Sequence, residues 1–463
     1  MGMSVENKTW TINDFIEYLP FYNAFTIKIL CLINVPTFVA GFILYVNVLI
    51  APELQCEWKL TTFEISLISI AFYIGEGCGS FYWGRTADIY GRKVILIVVT
   101  ACMIYFALLS SVSDSFASHM MMRFFVGAGY NGCFIMTAVY STEFTKKADH
   151  CKAILFVSIV FIVGNLAAIG VSYFTMNSYG WGNFILWSML PCLLLVFLMV
   201  LLPESIRFLT VNGENNQVLE MLNDIAATNN ISWPENILFQ EISKSKNIIN
   251  NQSPGYVEVM TKHWKKLLGL SMYGIPLFLS YYGIPFFIDY KLQQQSSCQF
   301  NRTQTIVQCA PLSDSQIVRS FLVNLGMLPG TICGYILAEK FGRKILLRFT
   351  MTLMSICYFI QLFCVPSIIT YILLFLASGF GMSSTVFIML FSSELFPTNI
   401  RSTASGMAAT LWKIFSIISP LLFQHLIYTN WTLVIVLMGM SSLIGIVGLC
   451  ILPETLGQNL KDY

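Results

Sequence analysis

Gly84-Arg85-Thr86-Ala87-Asp88-Ile89-Tyr90-Gly91-Arg92-Lys93 is a short polar run set between two long apolar ones. Its last three residues recur 251 positions later as Gly342-Arg343-Lys344. Ser141-Thr142-Glu143-Phe144 is answered at the same offset of 251 by Ser392-Ser393-Glu394-Leu395. Pro203-Glu204-Ser205 is answered by Pro453-Glu454-Thr455 at 250. Three matched pairs at one spacing divide the chain into two related halves. Each pair falls where an apolar run ends, so the repeat is one of helices with charged ends.

The runs are long enough to cross a bilayer. Of 463 residues, 56% are hydrophobic and only 11% charged, with a mean hydropathy of +0.69. A soluble domain carries about 25% charged residues, so a chain this apolar needs lipid as its solvent. Runs near 20 residues occur at 28–50, 63–82, 94–112, 119–140, 152–172 and 183–202. Six more occur at 267–288, 318–338, 345–364, 368–391, 403–424 and 432–452. The expectation is an all-α integral membrane protein of twelve spans in two six-helix halves, 28–202 and 267–452. A tail at 1–27, a linker at 203–266 and a tail at 453–463 complete it. The tail before the first span is charged and has no apolar core, so the first span is expected to act as the signal.

Charge gives the orientation. With the N-terminus placed in the cytoplasm, 20 of the 26 Lys and Arg fall on that side. Lys59, Lys291, Arg302 and Arg319 fall outside, and Arg123 and Lys413 lie within spans. This bias predicts cytoplasmic termini in a plasma or vesicle membrane. The loop 289–317 is then external, where its sequon at Asn301 is a glycosylation site. Cys298 and Cys309 close a short loop there, and a disulfide is expected in that oxidising compartment. The linker is read as carrying short amphipathic helices, with a disordered segment as the alternative.

The decapeptide Gly84 to Lys93 resembles the GxxxDxxGR[KR] motif of the major facilitator superfamily, and it stands in the matching place between spans two and three. Arg123-Phe124-Phe125-Val126-Gly127-Ala128-Gly129 in span four is similar to that superfamily's RxxxGxG element. Pro203-Glu204-Ser205-Ile206-Arg207 and Glu394-Leu395-Phe396-Pro397-Thr398-Asn399-Ile400-Arg401 look like its sugar-porter and organic-ion branches. Ala51 to Leu60, Asp14 to Tyr22 and Ser405-Gly406-Met407-Ala408 resemble the synaptic vesicle 2-related proteins. The resemblance implies alternating access, with the halves rocking about a central site. It assigns gating to Gly84, Asp88, Gly91, Arg92, Lys93, Glu143, Arg207, Glu339, Arg343, Glu394 and Arg401, as helix-end charges that hold one conformation and release another. The second copy is degraded, with Tyr335 and Glu339 in place of the first Gly and the Asp. Acidic residues that the relatives carry in spans one and eight are missing here, so the resemblance does not extend to proton coupling through those positions.

Three ionisable residues remain inside spans: Glu76, Arg123 and Lys413. A charged residue at a helix centre costs about 2.5–3.5 kcal/mol on insertion scales. Such residues therefore face a cavity or one another. Lys413 lies twelve residues past Arg401, roughly 18 Å into span eleven at 1.5 Å per residue. Seven residues ahead of Pro420, it occupies a position that follows substrate charge in the organic-ion branch, acidic for cations and basic for anions. Snorkelling, or a structural pair with Glu76, is the competing reading. Glu76 and Arg123 are the coupling candidates. Asn47, Tyr130, Asn131, Tyr281, Tyr282, Asn324 and Trp412 are candidate substrate contacts with Lys413, and Tyr45 and Asn165 are further polar candidates.

No nucleophile–base pair, phosphate-binding loop or Cys/His metal spacing is present, so no enzyme, ATP-driven pump, metal or other cofactor is expected. No basic stripe suggests nucleic acid. The expected function is secondary transport of a small organic anion by a monomer in the bilayer, possible coupling to a proton or other ion included. A cation or zwitterion carrier, or a transporter-shaped binding protein without net transport, is the alternative.

Overall fold

Asn34 interrupts the first span. Its side chain donates to the Leu30 carbonyl at 2.7 Å, and Pro36 follows in the first turn of the next segment. A proline there loses no hydrogen bond, because first-turn N–H groups lack intrahelical partners anyway. The span is thus built as Ala24–Ile33 and Val35–Leu49, followed by the short helix Ala51–Glu57. This computed structural model describes residues 21–146, 149–228, 255–293, 312–363, 365–396 and 401–454. Gly84, Asp88, Arg207 and Arg401 are described in their backbone only. The calls on Cys298, Cys309 and Asn301 lie outside the described residues.

The fold is all-helical among the described residues. Among the described residues, eight helical stretches are long and apolar enough to cross a membrane. One of these, His150–Leu201, breaks at Gly180 and supplies spans five and six. Three further long helices, Thr62–Tyr90, Phe116–Glu143 and Arg343–Ile360, carry the intramembrane or helix-end charges that lower their apolarity. Together they make twelve spans. Span four begins earlier than the apolar run suggests because Ser115 caps it, accepting from Ser118 N. It ends at Glu143, so the Ser-Thr-Glu motif lies inside the last turn rather than beyond it. The linker carries helices Ile206–Asn212, Asn215–Thr228 and Gly255–Lys262.

Glycines let spans two and four approach backbone to backbone. A Cβ on Gly75 would strike the Phe124 carbonyl, and one on Gly127 would strike the Phe72 carbonyl. Such close approach is how membrane helices gain contact when lipid removes the hydrophobic drive to associate. The halves meet mainly where span two lies against span eleven and span five against span eight. Span eleven changes pitch past Pro420, with a π-helical stretch at Leu421–Leu426. Proline cannot donate to the helical ladder, and a locally widened turn accommodates that.

Candidate functional site

The middle of the interface between the halves holds an ion pair. Lys413 Nζ of span eleven lies 2.6 Å from Glu76 Oε2 of span two, and neither side chain is exposed by more than 3%. Lys413 also donates to the Tyr282 hydroxyl of span seven. Its ammonium sits 4.7 Å from the centre of the Tyr282 ring, 5.2 Å from Phe278 and 5.7 Å from Tyr130. Tyr73, one turn before Glu76, meets Tyr282 with ring centres 4.9 Å apart. A cation over aromatic faces gains from the ring quadrupoles, and desolvation strengthens that attraction. Charge, counter-charge and rings come from spans two, four, seven and eleven, so both halves build the site.

The other candidate contacts are arranged around this pair in different ways. Tyr45 of span one donates to the Asn324 side chain of span eight, a second bond across the halves. Asn131 donates to Ser80 within the first half. Tyr281 donates to the Met382 sulfur at 3.3 Å. Asn47 is buried, and its side-chain oxygen has no hydrogen-bond partner among the described residues. Asn165 reaches the Met327 sulfur at 4.0 Å. Trp412 faces away: it donates to the Leu270 carbonyl at 3.2 Å, stacks on Phe278 and fills the space left by Gly274. Arg123 stands apart from the pair. It lies seven residues before Tyr130, about 10 Å along span four, and gives its Nε hydrogen to His119 Nε2 at 3.1 Å.

Two corners of charge occupy the face that carries the Gly-Arg-Lys turns. Gly91 has φ +98° and Gly342 φ +95°, a backbone region costly for any other residue. Beyond Gly91, Arg92 N and Lys93 N donate to Glu204 Oε1 at 3.0 and 3.1 Å. Beyond Gly342, Arg343 N and Lys344 N donate to Glu454 at 3.2 Å each. The Pro-Glu motif closing each half thus caps the helix that follows the turn, satisfying orphan N–H groups at a positive helix end. Arg92 pairs with Glu143, which also accepts from the Ser205 hydroxyl at 2.5 Å. Arg343 pairs with Glu394 at 3.4 Å and reaches across the halves to the Cys151 sulfur at 3.3 Å. Glu339 bonds the Tyr335 hydroxyl. Nearby, burial works to raise the Asp149 carboxyl, but hydrogen bonds and charge from Lys152 and Lys146 outweigh it and hold the group below the ordinary aspartate value.

Sequence reasoning missed the roles of Tyr73, Phe278, Glu204 and Glu454. The last two had a signal, because they sit in a pair already matched across the repeat. The opposite face is tied across the halves by Glu53 to Leu312 N at 3.2 Å, Thr62 to His425 at 2.8 Å and Asn177 to Asp314 at 2.7 Å.

The family described as "Sugar (and other) transporter" matches residues 19–463. The chain belongs to the sugar (and other) transporter family. This member of the family is 26% identical to svop-1 of Caenorhabditis elegans, over 98% of this chain and 87% of that one. It is 24% identical to the synaptic vesicle 2-related protein of Pongo abelii, over 98% of this chain and 83% of that one. Its fold is similar to the inward open conformation of the xylose transporter XylE from E. coli, with TM-score 0.72 and 18% identity, covering 94% of this chain and 98% of that one. Family and fold together make it a multi-pass membrane transporter of the major facilitator superfamily, near the synaptic vesicle 2-related branch, and not an enzyme.

Proposed function

We propose that the chain is a secondary carrier of a small organic anion, bound at Lys413 while Glu76 takes up a proton. The observation that carries this reading is the fully buried Lys413–Glu76 pair, shared between halves that must part for transport. Removing one member of a buried pair leaves an uncompensated charge at a cost of about 3–5 kcal/mol. A substrate carboxylate that takes Glu76's place at Lys413 spares the lysine that cost. It leaves the Glu76 carboxylate unpaired, and a proton from water neutralises it. Anion and proton then bind as one neutral unit, and release on the other side restores the pair. The rings of Tyr73, Tyr130, Phe278 and Tyr282 suit a substrate with an apolar or aromatic body.

The helix-end corners serve as gates in this scheme. Arg92 and Glu143 hold the terminal ends of the first half together, and Arg343 shares its charge between Glu394 and Cys151 of the other half. A gating role discriminates between conformations without touching the solute. Both termini are assigned to the cytoplasm, in a plasma or vesicle membrane. A zwitterion carrier is the second reading. It is favoured by the same pair, which offers a cation and an anion to a ligand bearing both.

The test is ligand-induced thermal stabilisation of the purified protein with a panel of aromatic and aliphatic monocarboxylates, the matching amines and the matching amino acids. Carboxylates raise the unfolding midpoint of the wild type, Lys413→Ala abolishes the rise, and Lys413→Arg keeps part of it. A rise with amines alone, or one indifferent to Lys413→Ala, rejects the anion assignment.

A further inference from the structure

Lys413 of the second half has a counterpart in the first, where Arg123 is also a buried cation. Its side chain is 0% exposed, and among the described residues no carboxylate lies within ion-pair distance. Its one side-chain hydrogen bond among the described residues goes to a neutral group. His119 Nε2 accepts from Arg123 Nε at 3.1 Å, so the imidazole proton sits on Nδ1, which faces the Ser113 hydroxyl at 2.8 Å. Trp58 and Trp181 wedge the same imidazole edge-on, with ring centres 5.6 and 5.7 Å away. Trp181 is itself pinned by its hydrogen bond to Glu57 at 2.5 Å. The histidine is thereby held in one orientation as an acceptor. Nη1 and Nη2 of Arg123 have no hydrogen-bond partner among the described residues.

A lysine in this position could lose its proton; a guanidinium does not. Water could satisfy the Nη hydrogens, but it would leave the charge uncompensated in a low-dielectric surround. We infer that the two Nη groups of Arg123 form a binding site for a small inorganic anion of the halide class. The side chain is fully enclosed and spans two and four touch backbone to backbone one turn further in, so the site is assigned to the smallest anions. The site is separate from the Lys413–Glu76 pair and does not depend on the transport reading. Chloride fixed there compensates the buried guanidinium and stabilises the folded protein.

The experiment is thermal unfolding of the purified full chain in sodium chloride against sodium gluconate at matched ionic strength, with bromide as a second halide. The expected result is a saturable rise in midpoint with chloride and bromide, absent with gluconate, lost in Arg123→Gln and retained in Lys413→Gln. No halide-specific rise in the wild type overturns the proposal. So does a rise that survives Arg123→Gln, and one lost in Lys413→Gln instead assigns the halide to the central pair. Should Arg123→Gln fail to fold, Arg123→Lys decides. It replaces the fork by an ammonium that burial can deprotonate, and the half-effect chloride concentration is expected to rise at least fivefold; an unchanged value overturns the site.

Discussion

Arg92–Glu143 and Lys413–Glu76 are both ion pairs between helices, and they sit in opposite circumstances. The first joins two spans of one half, with Arg92 22% exposed, and its carboxylate is also held by Ser205. The second joins one half to the other, is closed to solvent and has aromatic rings for company. A pair within a half can stay intact while the halves rock as bodies. A pair across them has to break or be replaced. The C-terminal corner stands between these cases, because Arg343 bonds both Glu394 of its own half and Cys151 of the other. Cost of rupture therefore rises from corner to centre, and a transported ligand is most useful where that cost is greatest.

The largest effect is expected at the centre. Glu76→Gln or Lys413→Gln alone lowers unfolding stability by about 3–5 kcal/mol, because each strands a buried charge. The double variant loses much less than the sum, and a double-mutant cycle in thermal or denaturant unfolding measures the difference. Additive losses would mean that the two charges do not compensate each other.

A smaller effect is expected at the corners. Glu204→Gln removes a charged cap from the helix that starts at Arg92 and costs about 0.5–2 kcal/mol. Glu454→Gln costs a similar amount at the equivalent turn, since each carboxylate accepts from the first two N–H groups of the helix that follows the turn. Arg92→Ala slows transport at equal surface expression while ligand-induced stabilisation stays near wild type. Loss of ligand binding in that variant would erase the distinction between corner and centre.

The smallest effect is expected at Asp149, where Asp149→Asn costs under about 1 kcal/mol. The sign with pH is set by its lowered value. A carboxyl held below its unfolded pKa stabilises the fold at neutral pH, and that contribution is lost as pH falls through the folded value. Wild type and variant therefore converge in acid, and unfolding midpoints measured down to pH 3 check it.

Most of the fold could be read from sequence because its two signals are physical and repeated: apolar runs of bilayer length, and helix-end charges at one offset. The spans carrying Glu76, Arg123 and Arg343 were still found, since length and repeat position compensated for their polarity. Glu76 and Lys413 were singled out because charge inside a span needs a reason. Of the rings around Lys413, Tyr130 and Tyr282 were among the candidates, but two others were not. Tyr73 and Phe278 look like ordinary apolar surface until spans two and seven are brought together, and no spacing within one helix reveals that. Trp412 neighbours Lys413 in sequence, and its indole packs against Gly274 of span seven, a placement that adjacency does not reveal. The break at Asn34 escaped because its hydropathy is buried in an apolar run.

The most direct measurement is the number of protons taken up when an anion binds. Calorimetric titration of the purified protein with an aromatic monocarboxylate such as benzoate, repeated in buffers of different ionisation enthalpy, gives that number. About one proton per anion is expected for the wild type, since the displaced Glu76 carboxylate must be neutralised. Glu76→Gln should bind the anion at least as tightly, with no proton taken up, and Lys413→Ala should not bind it. Anion binding without proton uptake in the wild type, or the same proton count in Glu76→Gln, would contradict exchange at the Lys413–Glu76 pair.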